Sequence, residues 1–482
     1  MDCGKEEFVG ILQENKKNMT VKQEGKKFQQ YFCAIIASIG ALLIGSVLAW
    51  TSPCLLYLKY PNYSAPIQIT NEEESSWIAA YTPIGAILGA LPAGMIADTF
   101  GRKLTLIIFT VPWTGTWILT TLVPSVTFLY IARFISGVIV GMFCAVLPMY
   151  VAEIAEVSIR GTLGTLFQVF LTMGILFDYA LGTFHSYLIL CNSISAVSVI
   201  FLALLPFIPE SPTYLMKKNR KSDAEQCLQR LRGPHYDIQV ELSDLRKRLE
   251  SGTQDSFSCE LLLKRENFLA IVISVGLMML QQLSGVNGVI FFAEKIFNDA
   301  GSTNSAICTL IVGIVQTIAT IVSSVLVDRA GRRILLLISS TGMAISLIGL
   351  GYYFWLKSHG NAGDLGWLPL ISLVAFIIVF SLGLGPIPWM MSNEVMGPEI
   401  KSFGCSATVA MNWICVSLVT FYFQPLQDVL GAATTFWIFS AICVAGVIFV
   451  LLVLPETKGK SIQEIQNELA GIKNINNVNG KV

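Results

Sequence analysis

Apolar residues along this chain come in long blocks rather than in alternation. Twelve runs of about 20 residues, enough for a helix to cross the roughly 30 Å hydrocarbon core of a bilayer, occupy residues 31–50, 77–96, 104–122, 128–151, 163–181, 187–207, 268–292, 306–327, 334–355, 368–391, 403–423 and 432–454. Such blocks predict helices, because a helix pairs its own backbone groups in lipid and barrel strands would show alternating segments of about ten residues. A polar stretch, 208–267, has apolar residues at helical spacing (Leu228 and Leu231; Leu242, Leu245 and Leu249) and predicts short amphipathic helices. It divides the chain into a tail (1–30), a bundle (31–207), a helical linker (208–267), a second bundle (268–454) and a tail (455–482). The expected fold is an all-α membrane protein with twelve transmembrane helices in two six-helix bundles.

The seventh run carries three amides and two glycines in Gln281-Gln282-Leu283-Ser284-Gly285-Val286-Asn287-Gly288. On a regular helix Gln281, Ser284, Gly285 and Gly288 share a stripe, with Gln282 and Asn287 at its flanks. An unbroken helix therefore cannot aim all three amides at one point, but two glycines can loosen the turn. Amides at this depth need partners. Either they line a polar cavity and hydrogen-bond a polyhydroxylated solute, or they tie helices together.

Composition agrees with the pattern: 54% of residues are apolar and 13% charged, against about 25% charged in ordinary soluble domains, and the mean hydropathy is +0.64. Net charge is zero, but its distribution is informative. With the N-terminus in the cytoplasm and alternating spans, 28 of the 32 basic residues face the cytoplasm, the exceptions being Lys59, Arg133, Lys295 and Lys357. The positive-inside bias places both termini in the cytoplasm. Residues 1–30 are polar and show no cleavable signal, so the first run is expected to act as an uncleaved anchor. Most of the eleven cysteines fall in apolar runs as small packers; no zinc spacing or disulfide framework is visible. The sequon at Asn62 lies in the first external loop, open to glycosylation, whereas that at Asn18 is cytoplasmic. Glu7 to Leu12 only approximates an acidic dileucine sorting signal, so the plasma membrane is favoured over an endosomal one.

The two halves repeat one another. Asp98…Gly101-Arg102-Lys103 after the second run recurs as Asp328…Gly331-Arg332-Arg333 after the eighth, 230 residues on. Glu153 and Arg160 recur as Glu394 and Lys401, and Pro209-Glu210-Ser211-Pro212 recurs as Pro455-Glu456-Thr457. A repeat in one orientation implies two bundles about an axis normal to the membrane, with a site between them. These charges also suggest a latch that pairs across the bundles when the cytoplasmic side closes. Each exposed pair would contribute only about 0–1 kcal/mol, enough together to bias two states. In the tenth run Gly385-Pro386-Ile387-Pro388-Trp389 has two prolines that each remove a donor and free a carbonyl upstream, predicting a hinge.

Together with Gln281-Gln282-Leu283-Ser284-Gly285 and Pro455-Glu456-Thr457-Lys458-Gly459, these motifs resemble those of the sugar porters of the major facilitator superfamily over essentially the whole chain. Among sugar porters the chain is most similar to facilitated trehalose transporters and the intracellular branch of glucose transporters. The resemblance implies that Gln168, Gln281, Gln282, Asn287, Gln316 and Asn412 contact sugar and that Trp389 lines the cavity, although glucose transporters commonly carry Asn where Gln316 stands. Amides give and accept hydrogen bonds to hydroxyls, and an aromatic plane covers an apolar sugar face. Two positions depart from the best-known glucose branch: Ser381 replaces a glutamate and Val416 an asparagine. Proton-coupled members place an aspartate in the first span opposite an arginine in the fourth; here Arg133 lacks that partner and is expected to snorkel or to reach the neighbouring bundle. The implied activity is downhill sugar transport by alternating access, with trehalose as solute. A glucose or fructose facilitator, a proton-coupled symporter and a sugar-sensing receptor are the alternatives. No enzyme chemistry, cofactor, metal, nucleic acid or obligate protein partner is implied; the partners are the sugar and the lipid bilayer.

Overall fold

A computed structural model describes residues 25–60, 65–69, 71–156, 158–234, 236–251, 259–361, 363–397, 400–458, 460 and 462–471. The sequons at Asn18 and Asn62 and the segment 7–12 lie outside the described residues. Helices dominate, and no strand occurs among the described residues. Span one is Phe28–Ala49, continued by Thr51–Lys59; spans two to six are Glu72–Phe100, Arg102–Thr120, Val126–Ile154, Arg160–Gly182 and Tyr187–Leu204. Four short helices follow, Pro212–Lys217, Lys221–Arg232, Ile238–Ser251 and Cys259–Leu263. Span seven is broken into Arg265–Leu283 and Val286–Ala300, and span ten into Leu368–Leu382 and Ile387–Val395. Spans eight, nine, eleven and twelve are Ser305–Ala330, Arg332–Ser358, Lys401–Leu430 and Ala432–Val453, and a last helix is Ile462–Ala470.

Several spans outrun their apolar cores because polar ends still suit a helix. Span two begins five residues early with Glu72, Glu73 and Glu74 in its first turn, where carboxylates offset the positive end of the helix dipole. Among the described residues, eleven helices are long and apolar enough to cross a membrane. Span three is not among them, since five threonines, two tryptophans and a proline dilute it. All five threonine hydroxyls donate to carbonyls of the preceding turn, at 2.6–2.9 Å, so they cost little in lipid.

Helices of one half approach at small residues. A Cβ on Gly45 of span one would lie 1.9 Å from the Leu171 carbonyl oxygen of span five, and one on Gly89 of span two 1.9 Å from that of Val138 in span four. Van der Waals contact between backbones replaces the hydrophobic drive that lipid cannot supply.

The repeat read from the sequence recurs contact by contact. Glu210 Oε1 accepts from the backbone N–H groups of Arg102 (2.9 Å) and Lys103 (3.1 Å); Glu456 accepts from those of Arg332 (3.0 Å) and Arg333 (3.1 Å). Arg102 Nη2 pairs with Glu153 at 2.8 Å, and Arg332 Nη2 with Glu394 at 3.1 Å. Ser211 Oγ then donates to Glu153, as Thr457 Oγ1 does to Glu394. Gly101 (φ +96°) and Gly331 (φ +93°) make the turns that aim these amides at a carboxylate. Burial pushes the Glu456 carboxyl up, but four backbone N–H donors outweigh it and leave it below the ordinary carboxylate value.

Arg102 and Arg332 thus pair with carboxylates of their own halves, because the Gly-Arg turns fold each span back on them. Arg102 also holds Asp98 (3.0 Å), which takes Lys217 as well (2.7 Å); Lys103 Nζ and Arg333 Nη2 donate to the carbonyls of Pro206 and Leu451, and Arg160 Nη2 to that of Ala155 (3.3 Å). The side chains of Asp328 and Lys401 lie outside the described set.

Candidate solute-binding site

Span seven solves the aiming problem by breaking. After Leu283 the chain turns through Ser284 and Gly285, whose φ of +86° is left-handed and favours glycine. A Cβ there would also lie 2.8 Å from the Phe439 ring. The break lets Asn287, on the second helix, donate through Nδ2 to Gln282 Oε1 on the first. Gln282 Nε2 donates to Gln281 Oε1 (3.3 Å), and Asn412 Nδ2 of span eleven donates to the same oxygen (3.2 Å). Four predicted amides thus form one connected chain, all of them buried.

Span ten completes the cluster. Pro386 and Pro388 would, as ordinary residues, donate to the carbonyls of Leu382 and Leu384. Both freed carbonyls are taken by side chains of other spans: Leu382 O accepts from Ser323 Oγ of span eight (3.4 Å) and Leu384 O from Gln281 Nε2 (2.6 Å). Irregular backbone at membrane depth survives where protein supplies the missing donors. The choice between solute site and interhelical tie thus has a mixed answer for Gln281, which ties helices in this structure.

Gln316 of span eight is buried with Oε1 unpartnered, as is the Ser381 hydroxyl. A buried acceptor and a buried hydroxyl without partners are the groups a solute hydroxyl can satisfy. Gln168 and Trp389 are half-buried; neither belongs to the amide chain.

Three features escaped the sequence reading. Asp178 of span five is fully buried with neither carboxylate oxygen partnered, and Glu294 of span seven is buried as well. Carboxylates inside or just past apolar runs were the available signal. The third is the end opposite the motifs, which is closed across the halves: Glu72 of span two pairs with Lys295 of span seven (3.0 Å) and with Lys59, and Lys295 also reaches Gln424 of span eleven. Ser52 Oγ accepts from Glu294 N–H (2.9 Å), and the Trp77 and Phe421 rings meet edge-on at 4.7 Å. Arg133 neither snorkels nor crosses to the other half. It is buried, donates to Ile78 O (3.2 Å), Val47 O (3.0 Å) and Thr51 Oγ1 (2.8 Å), and lies 5.0 Å over Trp50.

Twelve spans in two repeated halves, with buried amides at paired helix breaks, can be set beside known proteins. Residues 33–469 match the family described as sugar (and other) transporter. The chain belongs to the sugar transporter family. The facilitated trehalose transporter Tret1 of Drosophila erecta is 39% identical over 446 residues, 92% of this chain and 52% of that protein. Tret1 of Anopheles gambiae is 36% identical over 446 residues, covering 92% and 56%. The chain spans about half the length of these curated relatives. Among solved structures, a partially occluded inward-open form of the xylose transporter XylE from E. coli has a TM-score of 0.74 at 25% identity, covering 89% of this chain and 100% of that one. The proton:xylose symporter XylE bound to 6-bromo-6-deoxy-D-glucose, a major facilitator superfamily protein, has a TM-score of 0.73 at 25% identity, covering 91% and 99%. The chain has the twelve-helix major facilitator fold, and the family it belongs to is one of transporters, not enzymes.

Proposed function

We propose that the protein moves trehalose down its gradient by alternating access, holding the sugar on the amide cluster between the two halves. The observation that carries this reading is the connected chain Asn287–Gln282–Gln281–Asn412, built at one helix break and tied to a second. Gln316 and Gln168 complete the polar lining and Trp389 supplies the aromatic face. The Tret1 relatives favour trehalose as solute. Binding is expected to be weak: a millimolar site corresponds to about −4 kcal/mol, which a few net hydrogen bonds of about 1 kcal/mol each supply.

Downhill movement is supported by span one, which between Phe28 and Lys59 carries no carboxylate. The basic residues favour a motif-bearing cytoplasmic end, both termini inside, residence in the plasma membrane and an external Asn62 open to glycosylation. The domain division of the sequence, with 208–267 as linker, belongs to the same reading. Glu153, Glu394, Arg160, Lys401 and the Gly-Arg turns then act as a latch that pairs across the two halves when the cytoplasmic side closes, and Pro386 and Pro388 as the hinge. A monosaccharide is the second reading, favoured by the likeness to a symporter structure that holds a glucose derivative.

Uptake of labelled trehalose, glucose and fructose by one heterologous cell line tests the solute. Asn287→Ala is expected to lower trehalose uptake about tenfold, the worth of one lost hydrogen bond, at unchanged surface abundance. Normal uptake in that variant, or accumulation above the external concentration in liposomes under an imposed proton gradient, would overturn the corresponding part of the proposal.

A further inference from the structure

Gln281 spends its whole amide on protein. Its Nε2 donates to the carbonyls of Leu384 (2.6 Å) and Gly385 (2.8 Å), and its Oε1 accepts from Gln282 (3.3 Å) and Asn412 (3.2 Å). A primary amide has two N–H donors and two acceptor lone pairs, so Gln281 is saturated. Its neighbours are not. Among the described residues Gln282 Nε2 donates once, at a long 3.3 Å, and Asn287 Nδ2 donates once, to Gln282.

The Leu384 carbonyl is a special acceptor. It is the group that residue 388 would pair in a continuous helix, and residue 388 is proline. Pairing on either side is already helical: Ile387 N–H donates to Gly383 O (3.1 Å) and Met390 N–H to Pro386 O (3.3 Å). Leu384 N–H donates to Ser339 Oγ of span nine (3.1 Å). The residue at the hinge is therefore held from span nine through its N–H and from span seven through its carbonyl.

We propose that Gln281 is a positioning residue that couples solute occupancy to the span-ten hinge. A solute hydroxyl that accepts from Gln281 Nε2 must take that N–H from Leu384 or Gly385. The segment Ile387–Val395 is braced while the amide faces the hinge and released when it faces solute. This rests on the amide cluster being the solute site, and it separates two jobs within that cluster: Gln282 and Asn287, with donors to spare, hold the solute, while Gln281 reports its presence to span ten.

The test is a cycle of Gln281→Met, which keeps volume and removes both donors, and Pro388→Ala, which restores an N–H facing the Leu384 carbonyl. Gln281→Met is expected to lower the maximal uptake rate about tenfold while KM shifts less than about threefold, a split that simple loss of solute contact would not give. In the Pro388→Ala background the same change should cost less than about twofold. Effects of the two substitutions that simply multiply, or a Gln281→Met effect confined to KM, would overturn the proposal. Thermal unfolding of the four purified proteins, followed by tryptophan fluorescence, reads the same coupling without solute: adding Gln281→Met to Pro388→Ala should shift the melting temperature less than adding it to the wild type. A Gln281→Met protein that fails to accumulate but is recovered by Pro388→Ala supports the brace, and failure of both overturns it. If the wild type moves no sugar, the functional reading falls while the unfolding cycle still decides the brace.

Discussion

Replacing Arg133 with leucine is expected to cost several kcal/mol of stability, the largest loss from any single side chain in spans one, two and four. The guanidinium is buried and sits where three helices meet. It donates to Val47 O and Thr51 Oγ1 of span one and Ile78 O of span two, all from span four, and it covers the face of Trp50. Each acceptor left unpaired in a dry interior costs about 1–3 kcal/mol. Thermal unfolding of purified protein checks this. An Arg133→Leu protein melting within a degree or two of the wild type would show that the guanidinium is not the keystone of spans one, two and four.

The second large effect is expected at the end of the molecule opposite the repeated motifs. There Glu72 stands between Lys59 and Lys295, and only the second of these belongs to the other half. Glu72→Lys would set three cations together in place of a neutralised trio. The pairs are partly exposed and individually worth about 1 kcal/mol or less, yet turning attraction into repulsion counts twice. A shift of about 1.4 kcal/mol changes a two-state ratio tenfold. The variant should open this end about tenfold more often, read as faster labelling of Ser52→Cys by a membrane-impermeant maleimide. Ser52 is a good reporter because it is buried against Glu294 N–H in the closed arrangement. Reversing all three signs, with Lys59→Glu and Lys295→Glu added to Glu72→Lys, should restore slow labelling. Equal labelling rates in all these proteins would mean that apolar contacts such as Trp77 with Phe421 close this end without the charges.

Much of the architecture was legible in one dimension. A bilayer imposes a fixed span length, so apolar run length alone located the spans, and the repeated Glu, Arg and Gly positions announced two equivalent halves. The structure then paired Arg102 with Glu153 and Arg332 with Glu394 at matching places. Span three shows the limit of the apolar measure from the other side: its threonines look polar in a sum but return their hydroxyls to their own helix. The ends of spans were less legible, since charged residues such as Glu72 to Glu74 extend a helix without extending its apolar core.

By itself, the sequence determined the residue types at the centre: amides beside glycines in span seven, and two prolines in span ten. Types and spacing follow from local chemistry, which a linear pattern records. What the tertiary structure decided was which groups meet. That Gln281 supplies the donors Pro388 withholds, that Arg102 meets Glu153 and Arg332 meets Glu394, and that Glu72 and Lys295 close the opposite end all join residues far apart in sequence. Hydrogen bonds and ion pairs act over about 3 Å, and no periodicity along the chain encodes that proximity. Only the packing of helices around the two breaks brings such groups within reach.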